Sequence, residues 1–457
     1  MKNKFLVYLV ILSLFVLPIY AVPGTAPEQS EVAIQSVMIA DSTSLQPVVT
    51  ETGKISLSID GLGSNSASGI IQVEKPTGAT VRSAYMAAAD VWGSYGGPIP
   101  NGAVQINGNN VNWDSHVHLY TNNAWADVTS IVKPIVDAAP SGRVDLTITE
   151  SSTYSMDGEV LAVIFDDPAA TINTIILFFG AQNIAGDTFA IGLADPLDTG
   201  NPDLVLDMSL GISFGYQTGG GGQYSIVNVN GERMTTSAGG QDDGDPITIG
   251  NGGLLTVGGL DDSNANPADP YATPSNPKTD DELYNLLPFV ENGDTSINVY
   301  TQNPSTDDNI FFAALFLGSA TAIVGEGIVL GPSYDSNPIN TDHTVMATVQ
   351  DDAGAPVVGK TVTFEIISGP NMGMTHSEPT DSNGHAYFTW SSSDTGIDVV
   401  EARFMNSQDQ ETTSNLAEKE WYDRDEEPEP QIPEFTAIGA GIVLLGAIGL
   451  AIYRRNK

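Results

Sequence analysis

Apolar residues recur at every second position in short segments along most of the chain, and turn-forming residues separate these segments. Ile55, Leu57 and Ile59 form one of them. Others lie at 144–148, 161–165, 226–229, 297–299 and 311–317. A period of two places the apolar side chains on one face of a strand. The 47 glycines and 27 prolines supply turns between the strands. The sequence therefore predicts an all-β fold, with a large β-sandwich or jelly-roll-like region.

Helical periodicity is scarce. The two best candidates are Asp127 to Ala138, which Pro134 is expected to break, and Asp280 to Leu287, whose leucines can face a core.

Two apolar stretches lie at the ends of the chain. Residues 1–21 combine a basic start, an apolar run and a small residue at Ala21, which predicts a secretory signal peptide, with an uncleaved anchor helix as the alternative. Residues 435–453 are long enough for a transmembrane helix and precede Arg454, Arg455 and Lys457. The positive-inside rule leaves this basic tail in the cytoplasm and the segment between the two stretches outside.

The exterior segment is strongly acidic. Five of the 16 basic residues and only one of the 56 acidic residues lie in the two terminal segments, so 11 basic and 55 acidic residues remain, a net charge of −44. This charge disfavours binding to nucleic acid and to anionic membrane surfaces. The chain has no cysteine, which excludes disulfides, thiolate metal sites and cysteine nucleophiles.

The exterior segment divides near Ala322, where a long apolar strand ends. We expect a large β-rich domain at 45–320, either one domain or two packed sandwiches, and a smaller domain at 322–418. A charged, proline-containing spacer at 419–432 has too little apolar content to fold.

The smaller domain contains three segments that occur in a characteristic order. They are HTVMATVQDDAG at 343–354, PVVGKTVTF at 356–364 and TDSNGHAYF at 380–388. The domain resembles the bacterial Ig-like domain of the invasin and intimin type, and such domains serve as spacers or adhesive modules. The residues expected to alternate into its core are Val345, Ala347, Val349, Val362, Phe364, Ile366, Ala386, Phe388, Trp390, Val400, Ala402 and Phe404.

The C-terminus carries a second resemblance. Pro433, Glu434 and Phe435 precede the apolar stretch and its basic tail, and the arrangement at 433–457 resembles the archaeal PEF-CTERM sorting signal. The resemblance implies processing by an archaeosortase-like membrane enzyme that attaches the protein to the envelope. A permanent single-pass anchor is the alternative.

The large domain carries a third resemblance. Its segments 157–165, 175–180, 280–286 and 303–312 resemble uncharacterised β regions of archaeal and bacterial surface proteins.

Two patterns could carry catalysis or hold a metal through histidine, and each has an ordinary structural interpretation. Ser213 lies in a G-x-S-x-G pattern, but four consecutive glycines follow where a nucleophile elbow needs a helix, so we expect a strand residue. His116 and His118 lie on one face of a strand, where Asp114 could join them at a metal, but solvent-facing histidines are the preferred interpretation. The remaining histidines, His343, His376 and His385, are expected at the surface.

Calcium is the most credible ion, because it prefers oxygen ligands clustered in loops. The candidate ligands of a structural calcium ion are Asp242, Asp243, Asp245, Asp261, Asp262, Asn264 and Asp269. These residues form two clusters, at 242–245 and 261–269, and neither fits an EF-hand loop. Solvated acidic turns are the alternative interpretation.

These observations predict a non-catalytic cell-surface protein of structural or adhesive character, anchored through its C-terminus. Its expected partners are envelope or other surface proteins, with glycans as a further candidate. The alternative is a secreted carbohydrate-binding module or hydrolase within 45–320. Aromatic side chains that could stack on sugars in that case are Trp92, Tyr95, Trp113, Tyr120 and Trp125.

Overall fold

The computed structural model describes residues 44–63, 67–90, 97–118, 121–151, 156–213, 225–238, 255–257, 284–304 and 309–424. All of them lie in one compact unit of the chain.

The first half of the large region contains nine strands and one helix. They are β1 (Gln46–Gly63), β2 (Ser68–Lys75), β3 (Thr80–Asp90), β4 (Val104–Ile106), β5 (Asn109–Asn110), β6 (Ser115–His118), β7 (Asn122–Asp127), α1 (Thr129–Ala138), β8 (Gly142–Glu150) and β9 (Met156–Asp166).

Its second half adds ten strands and a 3₁₀ turn at Leu287–Phe289. The strands are β10 (Ile172–Phe179), β11 (Asp187–Leu193), β12 (Val205–Ser213), β13 (Ser225–Val229), β14 (Glu232–Ala238), β15 (Leu255–Val257), β16 (Tyr284–Asn285), β17 (Ser296–Gln302), β18 (Asn309–Gly318) and β19 (Ala322–Val324).

A ten-stranded sheet forms the centre of the large region, in the order β15-β12-β18-β10-β1-β9-β3-β7-β6, with β16 beside β12. Strand β1 joins its two halves. Residues 46–54 pair with β10, and residues 55–63 pair with β9. Two smaller sheets complete the region, one of five strands (β14-β13-β17-β11-β19) and one of four (β2-β8-β4-β5).

These sheets form four layers around three apolar cores. One core lies between the five-stranded sheet and the β10–β12–β18 half of the central sheet, and a second lies between the four-stranded sheet with α1 and the β3–β7–β9 half. The third core joins the remaining faces of the two halves. Each half of the central sheet therefore packs against one of the two smaller sheets.

Strands in the two middle layers are buried on both faces. Strand β9 gives Leu161, Val163 and Phe165 to one core, and Val160 and Ile164 to another. Such strands need apolar residues at every position, which explains the continuous apolar sequence of β9, β10 and β18.

Helix α1 confirms the helix expected at 127–138, but Pro134 lies inside it without ending it. The helix expected at 280–287 is wrong for its described part. Residues 284–285 pair as a strand with β12, and a 3₁₀ turn follows. The buried side chains of Tyr284 and Leu286 pack into the first core, and this tertiary contact outweighs the helical spacing of the leucines.

The smaller domain is a two-sheet sandwich of nine strands. They are β20 (Gly327–Gly331), β21 (Tyr334–Pro338), β22 (His343–Gln350), β23 (Thr361–Ser368), β24 (Thr375–Pro379), β25 (His385–Trp390), β26 (Gly396–Met405), β27 (Glu411–Thr413) and β28 (Ala417–Tyr422). One sheet has the order β20-β22-β25, and the other has the order β21-β28-β26-β23-β24 with β27 beside β26. All twelve residues expected in the core are buried in one cluster between the sheets, which confirms that prediction.

The structure refines both sides of this domain. Residues 322–324 pair with β11, so they belong to a sheet of the large region. Residues 419–422 were expected to begin the spacer, but they belong to β28. Lys419 and Trp421 are almost fully buried there. The expectation was wrong for 419–422 because one alternating face of this charged segment is sufficient to complete the core.

Candidate functional site

The calcium ligands expected from the sequence lie outside the described residues. They are Asp242, Asp243, Asp245, Asp261, Asp262, Asn264 and Asp269. The Pro433-Glu434-Phe435 tripeptide and the apolar stretch after it also lie outside. Within the described ranges, no group of three or more His, Asp or Glu side chains is placed to hold a metal ion. The same ranges contain no helix long and apolar enough to span a membrane.

His116 and His118 lie on edge strand β6 and face solvent. Their rings contact backbone carbonyls, at 3.1 Å from Nε2 of His116 to the oxygen of Ile99 and 3.2 Å from Nδ1 of His118 to the oxygen of Thr121. The carboxylate of Asp114 accepts a hydrogen bond from the backbone of Asp127 instead of joining them. The interpretation as surface histidines is confirmed.

Ser213 is the last residue of β12, and its side chain is fully buried. Its hydroxyl donates to the carbonyl oxygen of Asn309 on the neighbouring strand at 3.3 Å. The expected strand position is confirmed, and the hydroxyl is buried against the neighbouring strand.

The two described tryptophans of the large region belong to its cores. The Trp125 ring stacks on Tyr85 at a centroid distance of 5.3 Å and contacts Phe179 across the third core at 5.7 Å. Trp113 packs into the second core. The other aromatic candidates for sugar stacking, Trp92, Tyr95 and Tyr120, lie outside the described residues.

The sandwich of the smaller domain has two ends, the junction end and the exit end. At the junction end, it contacts the large region. Gln350, the last residue of β22, donates from Nε2 to the oxygen of Gly325 at 3.0 Å and approaches the oxygen of Ala190 at 3.5 Å. Beside β20, the Asp195 carboxylate accepts hydrogen bonds from the backbone and hydroxyl of Ser333, at 3.3 and 3.2 Å.

The exit end is where β28 finishes and the chain continues towards residue 457. Its centre is Asp398, which is fully buried. The Asp398 carboxylate accepts from the indole N–H groups of Trp390 at 3.0 Å and Trp421 at 2.7 Å. It also accepts from the backbone and side-chain N–H groups of Asn371, at 2.8 and 2.7 Å. Four donors therefore hold one buried carboxylate and tie the last strand to two other parts of the sandwich.

A second polar group lies beside these tryptophans. Oδ2 of Asp335 on β21 accepts from Nζ of Lys419 on β28 and contacts Nδ1 of His343, both at 3.0 Å. The His343 ring meets Trp390 edge to face at 5.0 Å. His343 is therefore buried, and the expected surface position is wrong, because this ring closes the end of the core.

The charge state of this group follows from its surroundings. Burial lowers the pKa of His343 to about 4, the nearby charge of Lys419 acts in the same direction, and Asp335 offsets only part of the effect. Burial would raise the pKa of Asp335, but the hydrogen bond and charge of Lys419 outweigh it and the net pKa is lowered. At neutral pH the group is thus an Asp335–Lys419 ion pair beside a neutral imidazole.

Sequence reasoning missed Asp398 and Lys419, because charged residues were assigned to solvent. The alternation of Ala417, Lys419 and Trp421 is a usable signal, since all three point to one face of a strand. Lysine at the middle position conceals the pattern, although its apolar stem suits burial when the ammonium group finds a partner.

The large region holds a different buried polar feature. Glu159 on β9 and Glu150 on β8 are both buried, and Glu150 is close enough to act on the charge of Glu159. Burial raises the pKa of Glu159 well above its ordinary value, and repulsion from Glu150 adds to the increase. Burial and the neighbouring acid therefore both favour the protonated form of Glu159.

Residues 340–416 match the family model described as bacterial Ig-like domain (group 1). The smaller domain is a bacterial Ig-like domain. This match confirms the resemblance to a bacterial Ig-like domain, and the presence of such a domain supports a surface protein. It covers the strands from β22 to β27, whereas β28, which completes the core, lies just beyond it. No curated protein matches the chain.

Two solved structures are similar to the chain at a low level. One is a protein from Corynebacterium diphtheriae described as membrane anchored, at 8% identity and a TM-score of 0.20, with 84% of this chain and 61% of that chain covered. The other is an Escherichia coli alpha-2-macroglobulin activated by porcine elastase, at 9% identity and a TM-score of 0.17, with 82% of this chain and 35% of that chain covered. The chain thus spans less than two thirds of either protein, and similarity of this degree does not establish a shared fold.

Proposed function

We propose that this protein is a non-catalytic cell-surface protein of structural or adhesive character. In this proposal, the Ig-like domain is a spacer that holds the large β region away from the envelope, and the C-terminal segment attaches the chain to the envelope.

The observation that carries the proposal is the arrangement of the two ends of the Ig-like domain. Strand β22 runs from His343, beside the exit end, to Gln350, at the junction end. Eight residues of extended strand span about 25 Å. The large region and the C-terminal segment therefore leave the domain on opposite sides, as a spacer requires.

Charge and the terminal segments supply the rest of the support. A net charge of −44 outside the terminal segments disfavours nucleic acid and favours a soluble exterior. The signal-peptide pattern implies export, and the tripeptide, apolar stretch and basic tail imply membrane insertion followed by processing by an archaeosortase-like enzyme. Partners on this proposal are envelope proteins, other surface proteins or glycans that the large region contacts.

Surface labelling of intact cells that make the protein tests the location. We expect a membrane-impermeant amine reagent to label the full-length product and an added protease to remove it without cell lysis. A protein that is protected from both reagents and still carries residues 1–21 would contradict the proposal.

Mass spectrometry of the mature C-terminus separates the two modes of attachment. A chain that ends near Phe435 supports sorting. A chain that retains Lys457 and partitions with membranes supports a permanent anchor. A chain that retains Lys457 and partitions with the cytosol contradicts both.

A further inference from the structure

Two buried glutamates point into one end of the second core of the large region. On β8, Ile148 points into this core, and Glu150 follows two residues later at the end of the strand. On β9, Leu161 points into the same core, and Glu159 precedes it by two residues. Side chains two residues apart share a face of a strand. The two acids therefore enter the core from different sheets, and they are only 5% and 0% exposed.

The carboxylate of Glu159 lacks the partners that a buried charge requires. Both of its oxygens are buried, and neither forms a hydrogen bond within the described part of the chain. Among the described residues, the charge that acts on Glu159 is that of Glu150, which has the same sign. Two negative charges in an apolar core are strongly unfavourable, so the pair has to take up either a proton or a cation.

The residues beside Glu159 suit an ion better than an apolar contact. Ala88 on β3 lies in register with Glu159, and Ala124 on β7 lies in register with Ala88. Both alanines face the second core, and their small side chains keep bulky groups away from the carboxylate. One row further along β3 and β7, the buried side chain of Asn122 donates to the buried carboxylate of Asp90 at 3.4 Å. Polar side chains therefore continue from Glu159 towards the ends of these strands.

We propose that Glu150 and Glu159 bind a calcium ion, which joins β8 of the four-stranded sheet to β9 of the central sheet. Carboxylate oxygens are ligands that calcium prefers. A proton would neutralise one of the two charges, whereas a divalent ion neutralises both and also bridges the sheets. The negative charge of the surrounding chain raises the local concentration of cations.

Two carboxylates supply only part of the coordination shell of calcium. This agrees with the absence, within the described ranges, of three or more acidic or histidine side chains around one point. Water and backbone oxygens commonly complete such a shell. The site is separate from the acidic segments at 242–245 and 261–269, and it does not depend on the proposed location of the protein.

Peptide-resolved hydrogen exchange on the intact chain tests the site, because peptides that cover β8 and β9 report on it locally. One sample contains about 1 mM calcium, and the other contains a chelator with sodium chloride at matched ionic strength. We expect calcium to slow exchange in the β8 and β9 peptides by about tenfold, as for an ion present at about ten times its dissociation constant.

Glu159→Gln and Glu150→Gln replace each acid by a neutral side chain of similar shape. Each should abolish the effect of calcium on these peptides. Both variants should fold, since each substitution removes an unfavourable buried charge, and protection of the same peptides in chelator verifies this. Asp145→Asn is the matched control: it removes one charge from the exposed face of β8, keeps an acceptor for the hydrogen bond from Gln72, and should retain the calcium effect.

Two results would overturn the site. One is the absence of a calcium effect on the β8 and β9 peptides of the parent protein, whether or not other peptides respond. The other is a calcium effect that the glutamine variants and Asp145→Asn retain equally. If one glutamine variant is unprotected in chelator, the other variant decides.

Discussion

Asp398→Ala is expected to destabilise the Ig-like domain by about 4 kcal/mol, nearly a thousandfold in its unfolding equilibrium. The substitution removes the acceptor of four hydrogen bonds at the exit end. No side chain of similar charge lies among the four donors to replace it.

The magnitude follows from which donors can find water. Asn371 is only half-buried, so its two N–H groups can be rehydrated. Trp390 and Trp421 are 4% and 1% exposed, and their indole N–H groups remain buried without a partner. Each such group costs about 1–3 kcal/mol, and the methylene and carboxylate volume lost adds a small cavity. Asp398→Asn keeps one acceptor oxygen and should cost about half as much.

Peptide-resolved hydrogen exchange on the intact chain is the suitable assay, because it reports the opening free energy of the Ig-like domain separately from that of the large region. Peptides from β22 and β25 should lose protection in Asp398→Ala, and peptides from β9 and β10 should not. Asp409→Asn, at an exposed turn, is the control. An opening free energy within about 0.5 kcal/mol of the parent protein would refute the reasoning, since surface substitutions have effects of that size.

Three further predictions concern pH and ions. Lowering the pH from 7 to 5 should destabilise the Ig-like domain by about 2 kcal/mol: its unfolded chain takes up a proton at His343 near pH 6.5, whereas the folded domain does so near pH 4. His343→Gln should remove most of this pH dependence in the exchange assay. Glu159→Gln should stabilise the large region at pH 8 but not at pH 4. The pKa of Glu159 is raised in the folded protein, so its contribution to stability is complete below its pKa in the unfolded chain and is lost as the pH rises. Urea titrations that show the same stability difference between variant and parent at both pH values would argue against this. Chelation of divalent cations should lower the midpoint of thermal unfolding if the acidic segments 242–245 and 261–269 hold calcium. An unchanged midpoint would rule out the proposed structural calcium ion.

Alternation and turn chemistry are local properties, and the features that depend on them could be predicted. The β class and the whole Ig-like core followed from period-two spacing, for example at Val345, Ala347 and Val349. Helix α1 followed in the same way from period-3.6 spacing, and its buried Val132 and Val136 lie one turn apart.

Features set by long-range contacts could not be predicted. The sequence Ile175 to Phe179 is apolar throughout, which fits a strand buried on both faces but does not identify the layers on either side. Likewise, His343 and Lys419 have ordinary polar neighbours in sequence. Only the fold brings them to Asp335, which supplies the partner that a buried charge requires.

Long sequence separations between paired strands offer this chain, which has no cysteine, a source of stability other than disulfides. Gln46 pairs with Phe179 in the large region, and Tyr334 pairs with Glu418 in the Ig-like domain, so both domains close through contacts between distant parts of the chain. Such topologies fold slowly, because the entropy of closing a long loop is lost before the contacts between its ends form. Where these contacts are still absent from the unfolding transition state, they slow unfolding as well as stabilise the fold. The resistance of the folded chain to unfolding would then be kinetic, and the ladders that join distant strands would supply stability of the kind that disulfides give small proteins.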